Sequence, residues 1–468
     1  MINDKGVHMY DRKIRCKFMT VLVLVIICMP FKALSQDVPA YSLDELVRMA
    51  LKFSPQIKEQ QQEVEIAKTR LEEAEGYQWP QLELITLFGP APNARGDQVA
   101  SDFRNDRVEG LGVFGSADVK VIQPLYTFGK ITEAKKAASH GISVEKSRVR
   151  QKSTDVALEI KQYYYGHLAA LEGEKLIDEI QGYLDSTMKR TKRLIEAGSE
   201  SATELDLHKL ETYQGLLAKS REEVKKNLAL SKSALRTFTG LGQDAGFTLK
   251  DETLEPVDVV VEELGFYSAK SRELRPEFTQ LREGLKAKEA LINMTETDYY
   301  PNIFAAAFYS YSDATGRDRV TNPWIYDFFR HSAGGAALGL KWSADFGITD
   351  SHVRRARADY IKLERLREFA EIGIPLQVEK SYRELIEAKE DIEATGKAFR
   401  AARKWMIGAV MNYDMGIGEA KDAADAIAAY GKMKEEYIRS VYNFNMGHAN
   451  VLQASGLSGE EIPSEEGN

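Results

Sequence analysis

The run EAKDAADAIAA, late in the chain, carries the most suggestive pair of chemical groups in the sequence, Asp422 and Asp425. Three positions apart, they share one face of any helix that contains them. Two carboxylates on one face attract cations and repel anions, yet an acidic pair is also what a solvated helix N-terminus carries, because the dipole favours it. Other constellations fail on context. Gly110-Leu111-Gly112-Val113-Phe114-Gly115 spells a dinucleotide fingerprint, but that motif needs a strand before it and a helix opening on it. Here alternation resumes in Asp118, Val119, Lys120, Val121 and Ile122, so the glycines read as a flexible run entering a strand. Six of the seven histidines follow the N-terminal segment, scattered, without metal-helix spacing and without cysteines beside them. His167 is expected as a packed or inter-helix residue. No G-x-S-x-G elbow occurs. The sequence therefore predicts no enzyme, no cofactor and no metal site.

What positions the aspartates is a chain of 468 residues, 29% of them charged, too polar for a helical membrane bundle. Only the N-terminus has an apolar run. Arg12, Lys13, Arg15 and Lys17 precede the apolar stretch 21–29, and Ala33-Leu34-Ser35 supplies small residues, which predicts a cleaved signal peptide over residues 1–35. Cys16 and Cys28 both fall inside it, and Val25-Ile26-Ile27 before Cys28 speaks against a lipoprotein site. Beyond residue 36 the chain holds 57 Lys and Arg against 69 Asp and Glu, a net charge near −12 that argues against a nucleic-acid partner.

The rhythm of the sequence is duplicated. Ile57, Val64, Ala67, Leu71 and Ala74 mark a narrow heptad seam, repeated by Phe278, Leu281, Leu285 and Ile292. Each seam stops at a proline, Pro80 or Pro301, which removes a donor and pushes the preceding residue out of the helical region. Each of those lies 25 positions after another proline, Pro55 or Pro276. Period-two alternation follows at once, over 82–88 and 303–311, with returning strands expected over 117–125 and 335–342. Long helical stretches then run from Gly129 to Gly198 and from Gly347 to Gly416, each 69 positions, interrupted only by Pro375 in the second. At about 1.5 Å per residue each would reach roughly 100 Å if continuous. A helix returns after each glycine and ends at Gly240 or Gly456.

Helix, proline, hairpin, long helix, glycine turn and returning helix, all duplicated, resemble a TolC-type outer-membrane efflux or secretion duct. The resemblance covers residues 42–456, and its specific stretches are SLDELVRMALKFSPQIKEQ, QPLYTFGK, AGSESATEL and YNFNMGHANVLQASG. It implies an α+β membrane protein: coiled-coil helices forming a periplasmic α-barrel, and four strands per chain in a trimeric transmembrane β-barrel. On this reading residues 36–245 and 271–456 are two structural repeats, 246–270 joins them, and 457–468 is a flexible tail. Pro80 and Pro301 become helix-to-strand junctions, and Gly198 and Gly416 the periplasmic tip turns.

Ducts of this family close at those turns, and many carry paired aspartates six and nine residues past the turn glycine. Asp422 and Asp425 match both offsets, and Glu204 the six-residue offset after Gly198. The resemblance thus implies a selectivity ring of Asp422, Asp425 and Glu204 at a pore constriction. It implies a homotrimer in the outer membrane, extending through the periplasm to a periplasmic adaptor and an inner-membrane transporter. The function is then that of a passive channel-tunnel in a tripartite efflux or type I secretion system. The alternative is a soluble periplasmic coiled-coil scaffold or adaptor, which shares the seams but needs no membrane-length strands. WSADFG departs from the family's usual proline-containing strand end, Glu204 stands where aspartate is common, and the aromatic loop TNPWIYDFFRH either packs on the barrel or binds something outside.

Overall fold

The computed structural model describes residues 38–95, 110–242, 246–320 and 322–459. The predicted signal segment, with both cysteines, and the tail beyond residue 459 lie outside them. A small unit consists of the strand β1 (Ala40–Tyr41) paired in parallel with β4 (Thr248–Leu249), the rings of Tyr41 and Phe247 lying 6.4 Å apart.

The larger unit contains the same element succession twice. It begins with α1 (Leu43–Phe53), α2 (Pro55–Gly76), β2 (Gln81–Pro92), β3 (Leu111–Tyr126), α3 (Lys130–Glu196) and α4 (Glu204–Thr239). It repeats as α5 (Leu264–Leu274), α6 (Pro276–Glu296), β5 (Asn302–Ala314), β6 (His331–Lys341), α7 (Ile348–Met415) and α8 (Ala420–Ser455). Helix lengths of 11, 22, 67 and 36 residues answer to 11, 21, 68 and 36, which identifies an internal duplication.

Local chemistry explains the boundaries. The Ser42 hydroxyl accepts from the Glu45 amide while the Glu45 carboxylate accepts from the Ser42 amide, a capping box that starts α1. Pro55 and Pro276 take the first helical position of α2 and α6, where a missing N–H costs nothing. The seam positions Ile57, Val64, Ala67 and Ala74, and in the second copy Leu281 and Leu285, are buried. Pro80 and Pro301 stand immediately before β2 and β5. At the other end of each hairpin, Phe128-Gly129 and Phe346-Gly347 all adopt positive φ, so both copies turn from strand to helix through the same left-handed corner. Pro375 lies inside α7 without ending it.

The four long strands form one antiparallel sheet in the order β2-β3-β5-β6. Its strands are longer than the alternation alone suggested: β3 starts at Leu111, so Gly112 and Gly115 lie within the strand and are no flexible run before it. Gly112 has a packing reason, since a Cβ there would collide with the Thr315 carbonyl. The β3–β5 ladder carries an irregularity between Pro124 and Tyr126, where proline cannot donate.

The register assigns each residue to a face. Leu82, Leu84 and Phe88 stand beside Val119 and Val121, then Tyr309 and Tyr311, and Leu338 and Leu340. This face is apolar and bare, with Leu82, Phe88 and Leu338 at 70%, 81% and 79% exposure. The opposite face mixes Glu83, Lys120, Asp118, Ser116, Ser310, Ser312 and His331 with apolar residues that include Ile85, Leu87, Phe114, Ile122, Phe304 and Phe308. Its polar groups are linked: Ser310 donates to Asp118 and lies 2.7 Å from His331 Nε2.

Candidate functional site

The candidate constriction is built where α3 turns into α4 and α7 into α8. Gly198 and Gly416 adopt φ of 71° and 80°, the left-handed conformation that glycine enters without steric cost, and each ends a long helix. Thr203 restarts the first copy by a capping box with Asp206, and Glu204 is the first residue of α4, exposed. Glu419 precedes α8, placing Asp422 in its first turn and Asp425 one turn on.

The two aspartates differ in environment. Asp422 is exposed, whereas Asp425 is half-buried and tied to α4 across the helix pair. The Lys209 ammonium donates to Asp425 Oδ1 at 2.5 Å, and the Tyr213 hydroxyl donates to the same oxygen at 3.1 Å. The Lys209 hydrogen bond, opposed by burial, holds the Asp425 carboxyl below the usual carboxylate range, and the same contact raises the Lys209 ammonium. The Tyr213 phenol is pushed up, first by burial and then by Asp425. Part of the acidic charge is therefore already compensated by the chain itself.

A second polar tie joins the ends of α3 and α7. Tyr413, 1% exposed, shares a hydrogen bond of 2.7 Å with the buried Thr191 hydroxyl. Thr191 also donates to the Thr187 carbonyl at 2.9 Å, so its single hydrogen is committed and Tyr413 is the donor. Arg190 covers the Tyr413 ring at 5.4 Å and lies 4.0 Å from Asp414. Further along, the Tyr430 hydroxyl donates to Glu179 at 2.7 Å and Lys434 approaches the same carboxylate at 3.4 Å, tying α8 to α3. Beneath these ties lies an apolar core that includes Leu184, Leu210, Met406 and Ile427.

Sequence reasoning named the aspartates but neither Lys209 nor Tyr213, which carry no motif and lie more than 200 positions away in the chain. His167 packs between helices, its Nδ1 2.8 Å from the Ser231 hydroxyl, and burial lowers its basicity. The described residues hold no group of three or more His, Cys, Asp or Glu able to bind a metal, and no helix among them is long and apolar enough to cross a membrane.

No family model and no curated protein sequence matches the chain. Solved structures do. A membrane protein from Pseudomonas aeruginosa superposes with a TM-score of 0.74 at 16% identity, over 90% of this chain and 91% of that one. The outer-membrane channel CmeC of Campylobacter jejuni gives 0.73 at 14%, over 88% and 85%. The outer-membrane channel OprN gives 0.72 at 14%, over 88% and 89%. The chain thus has the fold of the TolC-type channels, long helices joined to a small β-domain, over nearly all its described length.

Proposed function

We propose that this protein is a passive exit duct of the outer membrane, the channel-tunnel component of a tripartite efflux or type I secretion system. The observation that carries this reading is the four-stranded sheet. One face is apolar and bare, and β2 and β6 leave two edges without a partner strand among the described residues. In lipid an open edge would strand its backbone groups, so the sheet must close with other copies. Three copies would give a 12-strand barrel, the number that the family resemblance implies. The apolar face would then meet lipid and the polar face line the lumen.

Residues 36–245 and 271–456 are the two repeats of this duct, joined through 246–270. Gly198 and Gly416 turn the helices at its periplasmic end, and Pro80 and Pro301 mark where helix gives way to membrane strand. Exposed aromatics beside those prolines, Trp79 and Tyr300, suit a wet-dry boundary. Asp422 and Asp425, with Glu204 at the corresponding turn, form an acidic constriction. The partners are an adaptor and an inner-membrane transporter, and the duct itself performs no chemistry.

Fractionation followed by chemical crosslinking tests the reading. A detergent-dependent trimer in the outer-membrane fraction is expected. A monomer released from the periplasm without detergent overturns it and favours the scaffold alternative.

A further inference from the structure

We propose that the connection between β5 and β6, residues 315–330, folds back over the polar face of the sheet and sets the size limit of the duct's outer mouth. The inference rests on the duct reading above, which makes the polar face the lumen. The loop lies at the hairpin ends opposite the helices, and it does not project freely from them.

Strand residues at that end are covered on one face only. Ala91, Ser116, Ser312 and Ala314 all belong to the polar face by register, and their exposures are 0%, 9%, 1% and 4%. Phe88, Val113 and Tyr311, at the same level on the apolar face, remain at 81%, 64% and 48%. The covering groups come from the loop. The Ser312 hydroxyl donates to the Phe329 carbonyl at 2.9 Å, and the Phe329 ring meets Phe114, on the polar face, edge-on at 5.1 Å.

A buried ion pair pins the fold-back. Arg317 donates from Nε and Nη2 to the two Asp327 oxygens at 3.1 and 3.0 Å, with both side chains under 10% exposed. The remaining Nη1 reaches the Pro92 carbonyl at 2.6 Å, and the guanidinium lies 5.0 Å over the Phe329 ring. Backbone bonds between Ala94 and both Gly316 and Asp318 join the loop to the end of β2. Gly316, at φ 75°, has no room for a Cβ beside Asn93. A buried guanidinium with a hydrogen bond from each of its three nitrogens is costly to break, because removing one partner leaves a buried charge uncompensated. The loop leaves Trp324, Tyr326 and Phe328 more than half exposed. In a closed barrel several such loops would crowd one mouth with bulky aromatic side chains.

Cysteine labelling of intact cells tests this. Replacing Cys16 and Cys28 by serine removes the chain's only cysteines. Ala337→Cys then places a thiol on the polar face deeper than the loop, and Ala336→Cys a thiol on the apolar face beside it. With Ala337→Cys, a small membrane-impermeant maleimide added outside should react, and one carrying a long polyethylene glycol should not. Adding Asp327→Ala should speed the bulky reagent at least about tenfold, the factor that about 1.4 kcal/mol of lost loop closure gives. Arg317→Met with Asp327→Leu, which leaves no unpaired charge, should restore exclusion. Phe329→Ala loosens the same contact while keeping both partners of the Arg317–Asp327 hydrogen bonds, and should also admit the bulky reagent, which keeps the test decisive if Asp327→Ala fails to assemble. Equal reaction of the bulky reagent with the parent and the loop variants overturns the proposal. If Ala336→Cys and Ala337→Cys react alike with the small reagent, the duct reading fails instead.

Discussion

Replacing Lys209 by alanine would unmask a carboxylate without touching either aspartate. In the proposed trimer each chain contributes Asp422, Asp425, Glu204 and the ammonium bound to Asp425, a formal charge of about −6 at the constriction, and Lys209→Ala raises it to about −9. To first order the potential scales with that charge, so the logarithm of the cation-to-anion permeability ratio should rise about 1.5-fold. Asp425→Ala should roughly halve it, because Asp422 and Lys209 then cancel and Glu204 remains, and Lys209→Ala with Asp425→Ala should return it to the parent value. The pH dependence has a definite sign. Lys209 depresses the folded-state pKa of Asp425, so this charge, and the stability that its ion pair contributes, is present above the ordinary carboxylate range and is lost as pH falls through the depressed value. Without Lys209 the carboxyl should protonate at a higher pH, so the variant is more selective at neutral pH yet loses selectivity earlier on acidification. Reversal potentials across planar bilayers in a salt gradient, taken over a pH series, read both effects. Glu222→Ala, at an exposed position paired with Lys225, is the control and should change neither. If Lys209→Ala leaves the permeability ratio unchanged, Asp425 does not face the ion path and the pair is a solvated helix terminus.

Three further outcomes follow from the same geometry. Tyr413→Phe removes the donor to Thr191 while Thr191 keeps its own acceptor, a loss of about 0.5–1.5 kcal/mol, so channel openings in bilayers should become roughly 2- to 13-fold more frequent. Val119→Arg puts a charge in the middle of the apolar face, between Leu84 and Tyr309, at a cost of about 2–4 kcal/mol per chain in the bilayer, and should abolish the outer-membrane trimer seen on semi-native gels. Gly456→Val should lower the thermal unfolding midpoint, since φ is 82° there and a Cβ would stand 2.8 Å from the Leu274 carbonyl carbon; Gly182→Ala, with open space around it, should not.

How much of this was legible in the sequence depends on the range of the interaction. Seams, proline stops and glycine turns are local, each set by the backbone chemistry of a few consecutive residues, and α2, α3, α6 and α7 follow them closely. The start of β3 was missed because Gly112 and Gly115 resemble a flexible run, and what keeps them in the strand is distant: Thr315 against one, Phe88 against the other. The aromatic loop was left open between two roles for the same reason. Asp327 and Arg317 are ten residues apart, but the sequence does not reveal that the pair becomes buried, with Arg317 on the Pro92 carbonyl 225 positions upstream. Long-range polar pairing leaves no period behind it.

The tip shows what duplication contributes beyond repetition. Two copies of one helical hairpin pack side by side, so residues at related heights in α4 and α8 become neighbours although they are remote in sequence. The carboxylate stands on α8 and its ammonium and phenol on α4, as Asp425, Lys209 and Tyr213. The second tie follows the same division, with Tyr413 on α7 and Arg190 and Thr191 on α3. Each repeat thus holds half of each contact, and neither tie can form within one repeat alone. In the proposed duct the constriction would respond to relative movement of the two hairpins, because sliding one against the other would break the Lys209–Asp425 and Thr191–Tyr413 contacts together. The unmasking of carboxylate charge and the loosening of the tips are therefore coupled, and any partner that displaces one hairpin would change both width and selectivity.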